Sequence, residues 1–134
     1  MRGHGFAGYD VGMAQNDVVE RWRSLQSAYL STASVLERAL DERCDLGLSE
    51  FEILDLVAEE RQDPCLMRDL VQRTPMTQSA LSRIVDRLQK AGLVQRMECG
   101  FDRRSMFVAV TEKGAKVHAE AQQVYRSLLA DELG

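Results

Sequence analysis

The sequence predicts a mainly α chain carrying one small β-hairpin, and three observations predict it. Apolar residues recur at steps of three and four through most of the 134 positions, the spacing of one helix face. Two short apolar runs, "LVQRME" and "SMFVAV", flank a glycine-containing loop, which reads as a hairpin. Ser, Thr, Gly and Pro stand between the periodic segments at positions suited to helix starts and stops. The length fits one domain with a real core.

Taken in order, "MRGHGFAGYDVG" holds four glycines and little periodicity. Residues 1–13 therefore read as a flexible tail, and 14–134 as the single domain. From about Ala14 to Arg43, the residues Val18, Trp22, Leu25, Tyr29, Ala33, Leu36 and Leu40 make a narrow, nearly heptad stripe suited to packing against another long helix. In "LGLSEFEILDLVAEE", Gly47 breaks the chain and Ser49 is the expected N-cap, with Glu52 three residues on; Phe51, Leu54, Val57 and Ala58 form the buried side. Pro64 ends that segment. "CLMRDLVQRT" reads as a short helix, "PMT" as a turn, and "TQSALSRIVDRLQKAG" as a longer helix stopped by Gly92. "CGFDRR" is then the long tip of the hairpin. Thr111 caps a last helix with a stripe of Val117, Ala121, Val124 and Leu128. Helix, three-residue turn, helix, hairpin is a winged helix-turn-helix layout. It spans 46–110, between flanking helices at 14–45 and 111–134.

Charge narrows the function. The net charge is −4, but residues 67–105 carry eight Lys/Arg against four acids, and the rest carries nine against seventeen. Such asymmetry suits one face built for a polyanion. No run approaches the roughly 18 apolar residues of a membrane span, and no secretory signal opens the chain. Cys44, Cys65 and Cys99 are an odd set without paired spacing, which fits a reducing cytoplasm. With His4 and His118 as the only histidines, no metal site is expected, and no cofactor. Paired carboxylates, a nucleophile beside a histidine and a Gly-rich phosphate loop are all missing, so enzyme chemistry is not expected.

The second helix of the pair places Leu81, Ile84, Val85 and Leu88 on one side and Ser79, Arg83, Asp86 and Lys90 opposite, with Gln78, Ser82 and Arg87 on the flanks. Small residues let the helix tip approach base edges, and Arg83 can reach guanine O6 and N7 with two bonds. The helix N-terminus favours a phosphate near Thr77 and Gln78. Arg73 would position the unit on the backbone, Lys90 would make a peripheral phosphate contact, and Arg68 and Arg96 read as solvated. In "DRR", Arg104 suits the negative potential of a narrow minor groove, Arg103 suits backbone contact or a supporting pair, and Asp102 can hold Arg104. An ordinary amphipathic surface helix and a stapled hairpin tip are the bland alternatives for the same residues.

"LSRIVDRLQKAGLVQRM" followed by "DRRSMFVAVTEKG" resembles the core of the MarR (multiple antibiotic resistance regulator) family, over roughly residues 46–130. The wing signature of that family, Asp-x-Arg and then Leu-Thr-x-x-Gly, is matched by Asp102, Arg103, Arg104, Val110, Thr111 and Gly114. Val110 stands where Leu is usual and should fill the same core site. The resemblance implies a transcription regulator, a ligand-responsive repressor, binding a pseudo-palindromic operator in double-stranded DNA as a homodimer. Recognition helices would enter successive major grooves and wings the flanking minor grooves. Trp22, Leu25, Tyr29, Val117, Val124, Leu128 and Leu133 could build the dimer or belong to the intramolecular core. MarR-like chains usually continue through one further helix, so a smaller or differently arranged interface is expected here. A small aromatic effector would be lined by Trp22, Tyr29 and Phe51. The competing readings are a winged-helix protein-protein interaction module, or a redox sensor through Cys99.

Overall fold

The computed structural model describes residues 5–59, 64–99 and 102–134, with side chains for 14–59, 64–98 and 106–134. Helix α1 (Gly5–Cys44) is followed by α2 (Leu48–Glu59), β1 (Cys65–Leu66), α3 (Met67–Arg73), α4 (Gln78–Lys90), β2 (Val94–Cys99), β3 (Asp102–Val110) and α5 (Glu112–Leu133). The architecture is mainly α with a small antiparallel sheet. No helix among the described residues is long and apolar enough to cross a membrane.

Two compact units divide the chain, Met1–Val35 and Leu36–Gly134, with the boundary inside α1. Helical backbone is described from Gly5 onward, within the 1–13 segment that the sequence reads as a flexible tail. Extending a long, already nucleated helix adds a hydrogen bond per residue, and that gain offsets a cost of about 1 kcal/mol per glycine. Within Met1–Val35, Val18, Trp22, Leu25, Tyr29 and Leu30 are exposed. The stripe predicted for α1 is thus buried within the chain only further along, at Leu36 and Leu40.

Leu36–Gly134 has one core. Phe51, Ile53, Leu54 and Val57 of α2 meet Leu70 of α3, Leu81, Val85 and Leu88 of α4, Val94, Val108 and Ala121 in a single cluster. Each fully buried Leu or Phe contributes about 1.5–3 kcal/mol. Val124 is buried in the same cluster, with Val117 and Leu128 packed against it, so the α5 stripe serves this core and only Leu133 remains exposed.

Three local expectations need correction. First, α2 starts at Leu48 with Gly47 as its cap residue, not Ser49. The Gly47 N–H donates to Glu50 Oε1 at 2.8 Å, the reach-back of a capping box. The Leu48 N–H donates to Glu37 Oε2 of α1 at 2.6 Å, a long-range cap that local spacing cannot reveal. Second, Cys65–Leu66 is a strand, not the first turn of a helix; it pairs with Val108 and Phe107 at the edge of β3. Two residues carry no period, so only the available sheet edge makes them a strand. Third, the hairpin tip is shorter than "CGFDRR", because Cys99 pairs with Asp102 after a register shift at Glu98/Cys99. A bulge of this kind lets pairing continue past the point where apolar alternation stops.

Candidate nucleic-acid interface

Helix α4 is held at both ends by its own chemistry. Thr77 Oγ1 accepts the Ala80 N–H at 3.1 Å, which satisfies an orphan donor of the first turn. At the other end Gly92, at φ +79°, donates to Gln89 O and Leu93 donates to Leu88 O, both at 2.9 Å. That is a Schellman closure, and the buried Leu88 and Leu93 supply its hydrophobic contact. Lys113 Nζ donates to Ala91 O at 2.9 Å. The turn after α4 is therefore tied to the start of α5.

Thr111 and Gly114 complete that tie. Thr111 Oγ1 accepts the Gly114 N–H at 3.0 Å and donates to Gly92 O at 2.6 Å. The Thr111 N–H donates to Leu93 O at 3.0 Å. A Cβ on Gly114 would stand 1.9 Å from Leu93 O and 2.9 Å from Val110 Cγ2, so only glycine admits this approach of α5 to the end of α4. Thr-x-x-Gly is a packing device that fixes the base of the wing. Val110 is half-buried and packs against the core.

With its apolar stripe (Leu81, Ile84, Val85, Leu88) buried, α4 turns Gln78, Ser79, Arg83, Asp86, Arg87, Gln89 and Lys90 outward. The cations differ in what they already hold. Arg83 is exposed and makes no ion pair among the described residues. Arg87 lies 3.4 Å from Glu50 Oε2 with most of its side chain in solvent, a weak surface pair. Arg73, at the end of α3, donates to Glu59 Oε1 at 2.5 Å. Arg96, read from sequence as solvated, is instead engaged: it pairs with Asp86 Oδ1 and donates to Ser82 O at 3.3 Å and Ser82 Oγ at 3.5 Å. Ser82, expected on the flank of the outer face, is half-buried, and its hydroxyl accepts from Arg96. Arg68 and Lys90 are exposed.

The backbone of Asp102, Arg103 and Arg104 lies in β3, continuing from the hairpin turn. Their side chains lie outside the described residues, as does that of Cys99. Of the three residues expected to line an effector, Trp22 and Tyr29 are exposed in Met1–Val35, whereas Phe51 is fully buried in the other unit. The Phe51 ring stacks on His118 at 6.0 Å and lies 4.6 Å from Tyr125. Two open clefts of about 370 and 300 Å³ flank the sheet, one against α3 and one at the start of α5; none of the three lines either.

Sequence reasoning missed the pair Asp55–His118, joined at 2.6 Å between Nε2 and Oδ1. The partners stand 63 positions apart, and no local spacing marks them. Around them the acids crowd. Partial burial of the otherwise exposed Glu52, then Glu37 and Asp55, raises its carboxyl above the ordinary range, and partial burial, then Glu52 and Asp55, raises the Tyr125 phenol. The Cys44 thiol is likewise raised, by burial first and by Glu120, so its reactive thiolate is scarce. Cys65 is buried.

A model of the MarR family matches residues 45–105. The HTH-type transcriptional repressor NicR of Pseudomonas putida is 30% identical over 91 residues, 68% of this chain and 56% of that protein. The HTH-type transcriptional regulator PecS of Dickeya dadantii is 31% identical over 115 residues, 74% of this chain and 69% of the relative. Among solved structures, Sco3205 of Streptomyces coelicolor, a MarR family transcriptional regulator in complex with DNA, superposes with a TM-score of 0.80 at 27% identity, over 90% of this chain and 74% of that one. The chain spans little more than half the length of NicR.

Proposed function

The chain belongs to the MarR family, and we propose that it is a transcriptional regulator, a ligand-responsive repressor that binds a pseudo-palindromic operator in double-stranded DNA as a homodimer. One observation carries the reading. On the outer face of α4, Arg83 stands exposed and without an ion pair among the described residues, beside the exposed Gln78 and Ser79, while Arg96 is spent on the protein itself. A cation kept free next to small polar residues at a capped helix tip suits guanine readout in a major groove.

The remaining roles follow from charge and place. The start of α4 offers backbone N–H groups and a positive dipole end to a phosphate. Arg73 would exchange the exposed Glu59 for a phosphate, and Arg87, itself mostly in solvent, its long contact to the half-buried Glu50, at little cost because such pairs at the surface are weak. Arg104 would enter the minor groove beyond the hairpin, with Asp102 holding it and Arg103 on the backbone. Pairing two chains through the exposed Val18, Trp22, Leu25 and Tyr29 would present two recognition helices about 34 Å apart. Trp22 and Tyr29 would report an aromatic effector. Because Trp22 is the sole tryptophan, its fluorescence on titration with small aromatic acids reads that contact directly.

The test is selection of duplexes from a random pool, followed by titration at several salt concentrations. The wild type should bind with an affinity that falls steeply as salt rises. Arg83→Ala should relax preference at one base pair by about 1–3 kcal/mol, whereas Arg104→Ala should weaken binding to most sequences and flatten the salt slope. Retention that ignores salt, or no retention at all, would replace this reading with a protein-protein interaction module.

A further inference from the structure

We propose that Arg96 is a positioning residue for recognition: by clamping α4 to the wing strand it sets the roll of the helix, and hence where Arg83 meets the base edges. The inference rests on the DNA-binding reading above and deepens it.

The clamp begins at the best-supported point of the sheet. Arg96 pairs in register with Val108, and Val108 is paired on its other side with Cys65. Val108 itself is fully buried. From this site the guanidinium reaches α4 and divides its donors between two residues one helical turn apart: NH1 to Asp86 Oδ1, NH2 to the carbonyl and the hydroxyl of Ser82. About a quarter of the side chain is exposed, so this is not the fully solvated surface pair that contributes almost nothing.

Ser82 and Asp86 straddle Arg83 in the sequence. Apolar packing of Leu81, Ile84, Val85 and Leu88 decides which side of α4 faces inward, but burial is non-directional and tolerates some rotation about the helix axis. A planar fork with acceptors on two successive turns is directional and does not. The tolerance matters for readout. A roll of about 10° displaces an atom about 6 Å from the axis by about 1 Å, enough to spoil a bidentate hydrogen bond to guanine. The same fork ties α4 to β2, so major-groove and minor-groove contacts move as one body.

The test uses the full chain, a duplex recovered by the wild type from a random-sequence pool, and a random duplex of equal length. Arg96→Ala should lower the ratio of specific to non-specific affinity by about tenfold or more, with the salt slope of non-specific binding unchanged because phosphate contacts are untouched. Arg96→Lys, which keeps the charge but cannot span both turns, should fall between. In the Arg96→Ala background, adding Arg83→Ala should cost less specificity than it does in the wild type. An unchanged ratio, an equal loss of both affinities, or a slope lowered by about one would overturn the proposal; the last would make Arg96 a phosphate contact. Should thermal unfolding show that Arg96→Ala does not fold, Asp86→Asn keeps the shape and removes the charge; it must still lower the ratio, and an unchanged ratio overturns the proposal. A wild type that recovers no duplex sinks the DNA reading and this role together. One that selects a duplex while the variants keep its ratio sinks only the role.

Discussion

In the unit Leu36–Gly134, Leu40, Phe51, Leu54, Leu70, Leu81 and Leu88 are all buried within the chain, whereas in Met1–Val35 the residues Val18, Trp22, Leu25, Tyr29 and Leu30 are exposed. Most of both sets belong to amphipathic stripes of the same kind, and Leu36 and Leu40 continue the very stripe to which Trp22 and Tyr29 belong. The difference teaches that helical periodicity announces a partner without saying which chain supplies it. Leu36–Gly134 closes its own core and carries α4. The apolar face of Met1–Val35 is satisfied, in the proposed function, by a second copy.

The sharpest break in that comparison is Gly114→Ala. A methyl group 1.9 Å from Leu93 O must push α5 from the end of α4, and a loss of at least about 3 kcal/mol is expected in thermal or denaturant unfolding. A loss under about 1 kcal/mol would mean that this junction is not the rigid base of the wing.

The Trp22→Ala, Leu25→Ala double variant probes the other side. Both residues are exposed within the chain, at 59% and 64%, so the fold should survive. A second copy seated on them should release with a dissociation constant raised about thirtyfold, roughly 2 kcal/mol, by sedimentation. An unaltered dimer would place the interface elsewhere and leave the exposed stripe without an explanation.

Thr111→Val comes next. It removes the cap acceptor for Gly114 N–H and the donor to Gly92 O, for about 1–2 kcal/mol in unfolding, while dimerisation stays unchanged. A change in sedimentation would mean that the Thr111 junction also bears on the proposed pairing surface.

Glu52→Gln should have the smallest effect. Partial burial and the neighbouring Glu37 and Asp55 raise the Glu52 carboxyl in the folded state. The folded chain thus keeps that proton to higher pH than the unfolded chain does. The stabilisation is fully present below the ordinary glutamate range and is lost as pH rises through the raised value. Near pH 7 the amide should therefore raise Tm by about 1–3 °C, and the difference should vanish by about pH 4. A variant less stable than wild type at pH 7 would reverse the sign.

The legible part of the fold is the punctuated part. Gly92 and Thr111 act where spacing placed them, because a cap is a contact between residues three or four positions apart. The same rule failed at α2, where Ser49 was expected to cap: Gly47 takes the position once Glu37, from the preceding helix, receives the Leu48 N–H. Strand β1 escaped notice because two residues gain extended structure only from a neighbour more than forty positions away. The candidate site divides likewise. Which face of α4 points outward follows from a period of 3.6 residues, and Gln78, Ser79 and Arg83 were found on it. That Ser82 is occupied, and that Arg96 occupies it, did not follow.

Sequence alone determined where α4 stops and α5 starts, at Gly92 and Thr111, which side of each is apolar, and which segment concentrates positive charge. All of these depend on residues within a turn or two of one another. Tertiary structure alone decided which cations are engaged within the chain: Arg96 by Ser82 and Asp86, Arg73 by Glu59 and Arg87 by Glu50, while Arg83 makes no ion pair among the described residues. The reason is physical. Periodicity fixes the direction in which a side chain points, but an ion pair needs the distance to its partner, and these partners lie 10 to 37 residues away along the chain, brought near only when the core closes.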